Sequence, residues 1–234
     1  EYIQSLRAIW RNWELGEKLE FRGDHYNFTL MTPNFVPESN SELPVPITMA
    51  AVGPKMLELA GEVCDGVHLH PFCTRSYMEE VAMPRIEKGL KISDLVRESF
   101  QIAGGGFVVT GATDSDVAKA MEWVRYRVAF YGSTPSYWPV LEHHGLGDLG
   151  RKLNAMTKEG LWDKLAAQIS DDTLQLFAAI GRYDQLAEAI KLRFGGCTDM
   201  IYSNLSGSIG GTLPADLLQD IQNLAAPFKN FKKG

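Results

Sequence analysis

Apolar positions along this chain fall into two alternating patterns, short continuous runs and helix-spaced repeats, and together they predict strand-then-helix units. The segment 1–13 (EYIQSLRAIWRNW) sets Ile3, Leu6, Ile9, Trp10 and Trp13 along one helical face. It reads as helix interior from its first residue, with no Met or signal segment before it, so the chain is expected to be a fragment or a processed product. Residues 18–30 (KLEFRGDHYNFTL) surround the turn-prone Gly23-Asp24 with aromatic and β-branched side chains and predict a hairpin. Pro33, Pro37, Pro44 and Pro46 then mark a loop.

From Val45 the pattern becomes regular. Residues 45–51 (VPITMAA) form an apolar run ahead of Val52-Gly53-Pro54, and 55–63 (KMLELAGEV) carries Met56, Leu59 and Ala60 at helical spacing. Residues 66–71 (GVHLHP) predict the next strand, and 75–89 a helix bent or divided at Pro84. A strand over 98–110, interrupted by Gly104-Gly105-Gly106, precedes a helix from about Asp116 to Phe130, opened by Asp114 and Asp116. The region 131–172 is expected to be an insertion able to act as a lid, with helices over 149–156 and 161–169. A helix over 183–194, ended by Gly195-Gly196, a strand over 198–203 and a closing helix over 213–226 complete the chain. Strands near Ile47, Val67, Ile102 and Ile201 separated by helices imply parallel crossovers, in an open doubly wound sheet or in part of an eightfold barrel.

Composition narrows the class. A chain of 234 residues, 45% of them hydrophobic, can bury a sizeable core. With 23 basic against 29 acidic side chains the formal charge is −6, which offers no broad basic surface to nucleic acid or to an anionic membrane. The uncharged stretch near the middle is shorter than the roughly 20 residues a membrane helix needs, and three glycines interrupt it. Cys64, Cys73 and Cys197 form neither a CxxC pair nor a disulfide framework, so a cytoplasmic location is expected.

Two segments carry candidate chemistry. At Ala51-Val52-Gly53-Pro54 a strand stops at glycine and proline opens the next helix, so the following amides can receive a phosphate; the same residues also suit a plain tight turn. In 67–72 (VHLHPF), His68 and His70 point to one side of a strand, where they can pack together, touch a substrate or cofactor, or ligate a metal; no metal is expected, since Asp65 is the sole near carboxylate. Gly104 to Gly106 permits a β-bulge or the close approach of a planar ligand. Gly111 to Asp114 is read as a helix start, Gly181 as a break before the helix that Asp184 favours, and Arg182 as a residue able alone to reach an anion. His143-His144 lacks the HExxH spacing and is read as a solvated loop. Ser206 to Gly211 is read as a loop near a ligand-bearing mouth or as a flexible connection. Neither a GxSxG elbow nor a Walker lysine loop is present.

The stretches ITMAAVGPKMLELAGEVCDGVHLHPF (47–72) and FAAIGRYDQLAEAIKLRFGGCTDMIYS (177–203), in this order and separation, resemble the bacterial luciferase-like monooxygenase superfamily, especially its coenzyme F420-dependent oxidoreductase branch. The resemblance extends across nearly the whole chain and implies a partial TIM-barrel-like (β/α)8 architecture. Residues 1–234 would form one partial barrel domain, corresponding to the family's C-terminal portion. It implies that Ala51, Val52, Gly53 and Pro54 receive a cofactor phosphate and that His68 and His70 approach the ring or a small organic substrate, with His70 on the substrate side. The expected activity is hydride transfer between F420 and that substrate. FMN-dependent monooxygenation and a nonenzymatic cofactor-binding or structural role are the alternatives. The family's early strands have no counterpart here, so a missing half, a partner chain or a homo-oligomer is expected to complete the barrel.

Overall fold

The structure, a computed structural model, describes residues 1–38, 45–202 and 213–231. It opens with helix α1 (Tyr2–Leu15), ended by Gly16 in the left-handed conformation, where glycine carries no Cβ penalty. The apolar face of α1 is only half-buried. An antiparallel hairpin follows, β1 (Phe21–Arg22) with β2 (Asn27–Phe28). The Glu1 carboxylate accepts the amides of Asp24, His25 and Tyr26 and so ties the hairpin turn to the start of α1.

Three parallel strands form the main sheet in the order β3 (Thr48–Ala51), β4 (Gly66–Leu69), β5 (Gln101–Gly104). Between the first two lies α2 (Pro54–Val63), begun by Pro54, which supplies the helical φ and has no amide to leave unpaired. Between β4 and β5 the chain runs through α3 (Arg75–Tyr77), a π-helical turn at Met78–Ala82 and α4 (Met83–Ser93). Pro84 has no N–H to give the carbonyl four residues back, and the widened turn just ahead of it accommodates that loss, in line with the bend expected there. Where α2 and α4 cross, a Cβ at Gly61 would lie 2.4 Å from the Ile86 carbonyl oxygen and one at Gly89 2.0 Å from that of Glu58. Glycine is what lets these backbones touch.

The two faces of this sheet differ sharply. Met49, Val67 and Ile102 share a register row, and Val67 and Ile102 are completely buried on the side that packs against α2 and α4. Ala50, His68 and Ala103 share the next row, and on that side Thr48 and Ala50 are exposed. The core therefore sits between sheet and helices, and the face that would line a barrel interior is open.

The glycine run does not merely interrupt a strand. Gly104 and Gly105 have φ of +83° and +91°, and the chain leaves β5 to start β6 (Phe107–Gly111), which pairs in parallel with β7 (Ala178–Arg182) in a separate sheet. The expected single strand over 98–110 is thus two strands in two sheets. A strand over 178–182, where Gly181 had suggested only a break, is added.

Helix α5 (Asp114–Gly132) starts with a capping box: the Thr113 hydroxyl accepts the Asp116 amide and the Asp116 carboxylate accepts the Thr113 amide. Beyond it come α6 (Trp138–His143), α7 (Gly147–Lys158) and α8 (Asp171–Phe177). The expected helix over 161–169 is instead a pair of 3-10 turns, Trp162–Lys164 and Ala166–Gln168, between Gly160 with φ +75° and the extended Ile169. Helix α9 (Leu186–Phe194) returns the chain to the main sheet, where Met200 bridges Ala103 in parallel. Thr198 to Tyr202 contribute this bridge rather than a full strand, and Ser203 lies outside the described residues. Helix α10 (Ala215–Gln222) closes the fold. Among the described residues the strands form no closed barrel, and the whole is a partial TIM-barrel-like α/β fold.

Candidate functional site

The turn after β3 has the geometry of an anion receptor. Gly53 is the residue before α2, with extended φ −82° and ψ 155°, and no side chain caps the helix start. The first intrahelical bond runs from the Leu57 amide to the Gly53 carbonyl, at 3.1 Å, which leaves the Lys55 and Met56 amides ahead of the ladder with no intrahelical acceptor. A Cβ built on Gly53 meets nothing within 4 Å. The space outside these amides is open, and the helix dipole favours negative charge there.

His70 lies just past β4 and is half-buried. Its Nδ1 accepts the Phe72 amide at 3.0 Å, which leaves the neutral ring's proton on Nε2. Tyr137 stacks on it at 4.7 Å between ring centres and Tyr131 meets it edge-on at 4.5 Å. Burial pushes the His70 pKa below its ordinary value, which favours the neutral ring. Ala51, Val52, Leu69, His70, Phe72 and Val140 line one small crevice of about 10 Å3, room for roughly a single water. The strand end and His70 are therefore neighbours in one recess. A larger recess of about 1070 Å3 between α9 and α10 shares none of these residues.

His68, one layer down on β4, faces the open side of the sheet. Its Nδ1 meets the hydroxyl of Tyr202, and the two rings lie 5.7 Å apart with planes inclined by 31°. His68, inside β4, and His70, just past its end, thus occupy different environments. The sequence reading did not single out Tyr202, Tyr131 or Tyr137, because each meets its histidine across more than 60 residues of chain.

The remaining candidates separate. Gly104 and Gly105 serve close backbone packing: a Cβ at Gly104 would lie 2.4 Å from the Leu69 carbonyl oxygen and one at Gly105 2.6 Å from the Met78 sulfur. Arg182 is held by Asp114 and Asp184. His143 and His144 are not a solvated loop: His143 ends α6 and reaches the Ser76 hydroxyl at 2.6 Å, and His144 reaches that of Thr74 at 2.7 Å, so they dock α6 on α3. Residues 206–211 lie outside the described residues. Among the described residues no cluster of His, Cys, Asp or Glu could hold a metal ion. Burial pushes the Cys73 thiol up to about 12 and that of Cys64 up to about 11, which makes both poor nucleophiles.

These features join a parallel sheet of the barrel type to an uncapped helix N-terminus at the C-terminal edge of its strands, the arrangement in which barrel proteins bind anionic cofactors. The sequence profile of the Luciferase-like monooxygenase family matches residues 1–196, and the chain belongs to that family. An uncharacterized protein of Mycobacterium tuberculosis is 42% identical over 202 residues, which cover 86% of this chain and 59% of that protein. The 5,10-methylenetetrahydromethanopterin reductase of Archaeoglobus fulgidus is 30% identical over 194 residues, 80% of this chain and 54% of the reductase. Among solved structures, the coenzyme F420-dependent tetrahydromethanopterin reductase of Methanopyrus kandleri superposes with a TM-score of 0.66 at 22% identity, covering 94% of this chain and 60% of that one. An F420-dependent secondary alcohol dehydrogenase superposes at 0.55 with 14% identity, covering 85% of this chain and 53% of that one. The chain thus spans between half and three fifths of the length of these relatives. Among the described residues no helix is long and apolar enough to cross a membrane.

The residues present fit a phosphate-bearing cofactor. Two amides ahead of the helical ladder, an approach that Gly53 leaves free of any side chain and the absence of a competing side-chain cap suit a phosphate group.

Proposed function

We propose that the protein acts as a coenzyme F420-dependent oxidoreductase, transferring hydride between F420 and a small organic substrate. The amides of Lys55 and Met56 hold the cofactor phosphate, and Ala51, Val52, Gly53 and Pro54 shape the approach to them. Bound there, F420 supplies the redox chemistry through C5 of its deazaflavin ring. His70, beside the strand end, orients the substrate, while Tyr131 and Tyr137 pack against its ring. His68 serves from the open face of the sheet. The observation that carries this reading is that the strand end at Ala51 and Val52 and the His70 ring line a single crevice beside an uncapped helix start.

Completion of the site requires cover for the open face that carries Thr48, Ala50 and His68, and the remaining two fifths to one half of the relatives' length is the natural source. A cofactor exchange assay tests the proposal. Selective reduction of F420 supports it. Oxygen consumption dependent on reduced FMN would replace it with a flavin monooxygenase, and cofactor binding without turnover would leave a binding protein.

A further inference from the structure

We propose that Tyr202 and His68 form a proton relay on the open face of the main sheet, in which the Tyr202 hydroxyl protonates the heteroatom of a substrate carrying a C=O or C=N bond. The inference deepens the hydride-transfer reading and rests on it for the hydride. His68 is the third residue of β4, flanked at its own register by Ala50 on β3 and Ala103 on β5, so small side chains leave the imidazole uncrowded. Tyr202 comes two residues after the Met200 bridge to Ala103 and stands at the C-terminal edge of the sheet, the edge from which Gly53 leads into α2. The Gly104 amide donates to the Met200 carbonyl at 2.8 Å and fixes that approach. A side chain at position 104 would meet the Tyr202 ring, since a Cβ there lies 3.1 Å from Cε2. Tyr202 keeps 37% of its surface exposed, and its hydroxyl touches His68 Nδ1.

This arrangement suits proton delivery better than His70 does. The Nδ1 of His70 is taken by the Phe72 amide, and two tyrosines cover its ring. For the relay, His68 carries its proton on Nδ1 and gives it toward the Tyr202 oxygen, while the phenol proton points to the substrate. With the bound cofactor supplying hydride to the substrate carbon, the C=O or C=N π pair would move to the heteroatom, which would take the Tyr202 proton. The resulting phenolate takes the Nδ1 proton of His68 as solvent water delivers a proton to Nε2, so the imidazole stays neutral, and exchange with solvent restores the Nδ1 tautomer before the next turnover. Tyr202 is the catalytic residue and His68 the positioning residue behind it.

The test pairs a spectroscopic readout with turnover in Tyr202→Phe. In the wild-type chain, 15N NMR of the neutral His68 ring should show the proton on Nδ1, and the variant should lose this preference. A bare Nδ1 that Tyr202→Phe does not change would overturn the relay whatever the cofactor. In turnover with reduced F420, the variant should lose about 100-fold in rate and the solvent isotope effect with it, while F420 affinity stays within about twofold. Undiminished turnover, or turnover and affinity falling together, would also overturn the relay. Turnover with FMN alone would refute the F420 reading instead, and the NMR result would then decide the Tyr202 and His68 pairing on its own.

Discussion

Replacing Gly53 with valine separates cofactor binding from folding, because the structure gives the two very different sensitivities to this position. The backbone there, at φ −82° and ψ 155°, is ordinary extended geometry for any residue, and a Cβ meets nothing within 4 Å. The stability cost is therefore limited to the weaker helix-capping preference of valine, about 1 kcal/mol or less. A phosphate approaching the Lys55 and Met56 amides would meet the new methyl groups. Loss of one charge-assisted hydrogen bond costs about 1.5–3 kcal/mol, which corresponds to an affinity for F420 roughly 10- to 150-fold weaker. Fluorescence titration of F420 against wild type and Gly53→Val, with thermal unfolding of both, measures the two quantities. Unchanged affinity would refute the placement of the phosphate. Loss of affinity in proportion to loss of stability would show that Gly53 acts through the fold.

Further predictions address the supporting structure. Gly89→Ala forces a Cβ to within 2.0 Å of the Glu58 carbonyl and should destabilise by about 1–3 kcal/mol; an unchanged denaturant midpoint would contradict the close crossing of α2 and α4. Asp199, nearly fully buried, pairs with Arg97 at 3.0 Å and accepts the amides of Ile102 and Phe228, so Asp199→Ala should cost about 3–5 kcal/mol and speed hydrogen exchange at Phe228. Normal protection at Phe228 would rule that anchoring out. Burial holds His70 and His144 below the ordinary imidazole value of 6.5, so the unfolded chain takes up their protons first as pH falls. Their contribution is complete above about pH 6.5 and is lost as pH falls through the lower folded-state values. Denaturant titrations between about pH 7 and pH 5 should show this loss, reduced in His70→Gln, and a slope identical to wild type in that variant would contradict it.

Much of the β3–α2–β4 unit is legible in the sequence because its signals are local: an apolar run, a glycine, a proline at the first helical position and helix-spaced apolar residues all fall within 45–63. The same holds for the hairpin at Gly23-Asp24 and for the capping box of α5. Where reading failed, the deciding contact was distant. Gly104 to Gly106 looked like a fault within one strand, yet β6 finds its partner in β7 some 70 residues later, and no local pattern announces that pairing. Gly181 looked like a breaker because glycine weakens strands in isolation, but β7 is secured by β6 alongside it. His68 and His70 were visible as a strand pair, while the tyrosines that meet them come from the end of α5, from the turn after it and from beyond α9. The sequence could therefore nominate the histidines, and only the fold could tell them apart.

If the amides opening α2 hold the phosphate of a deazaflavin cofactor, crystals of the protein grown with F420 should show phosphate density within hydrogen-bonding distance of the Lys55 and Met56 amides, with Gly53 against it. A phosphate bound elsewhere, with these two amides covered by protein, would contradict that placement.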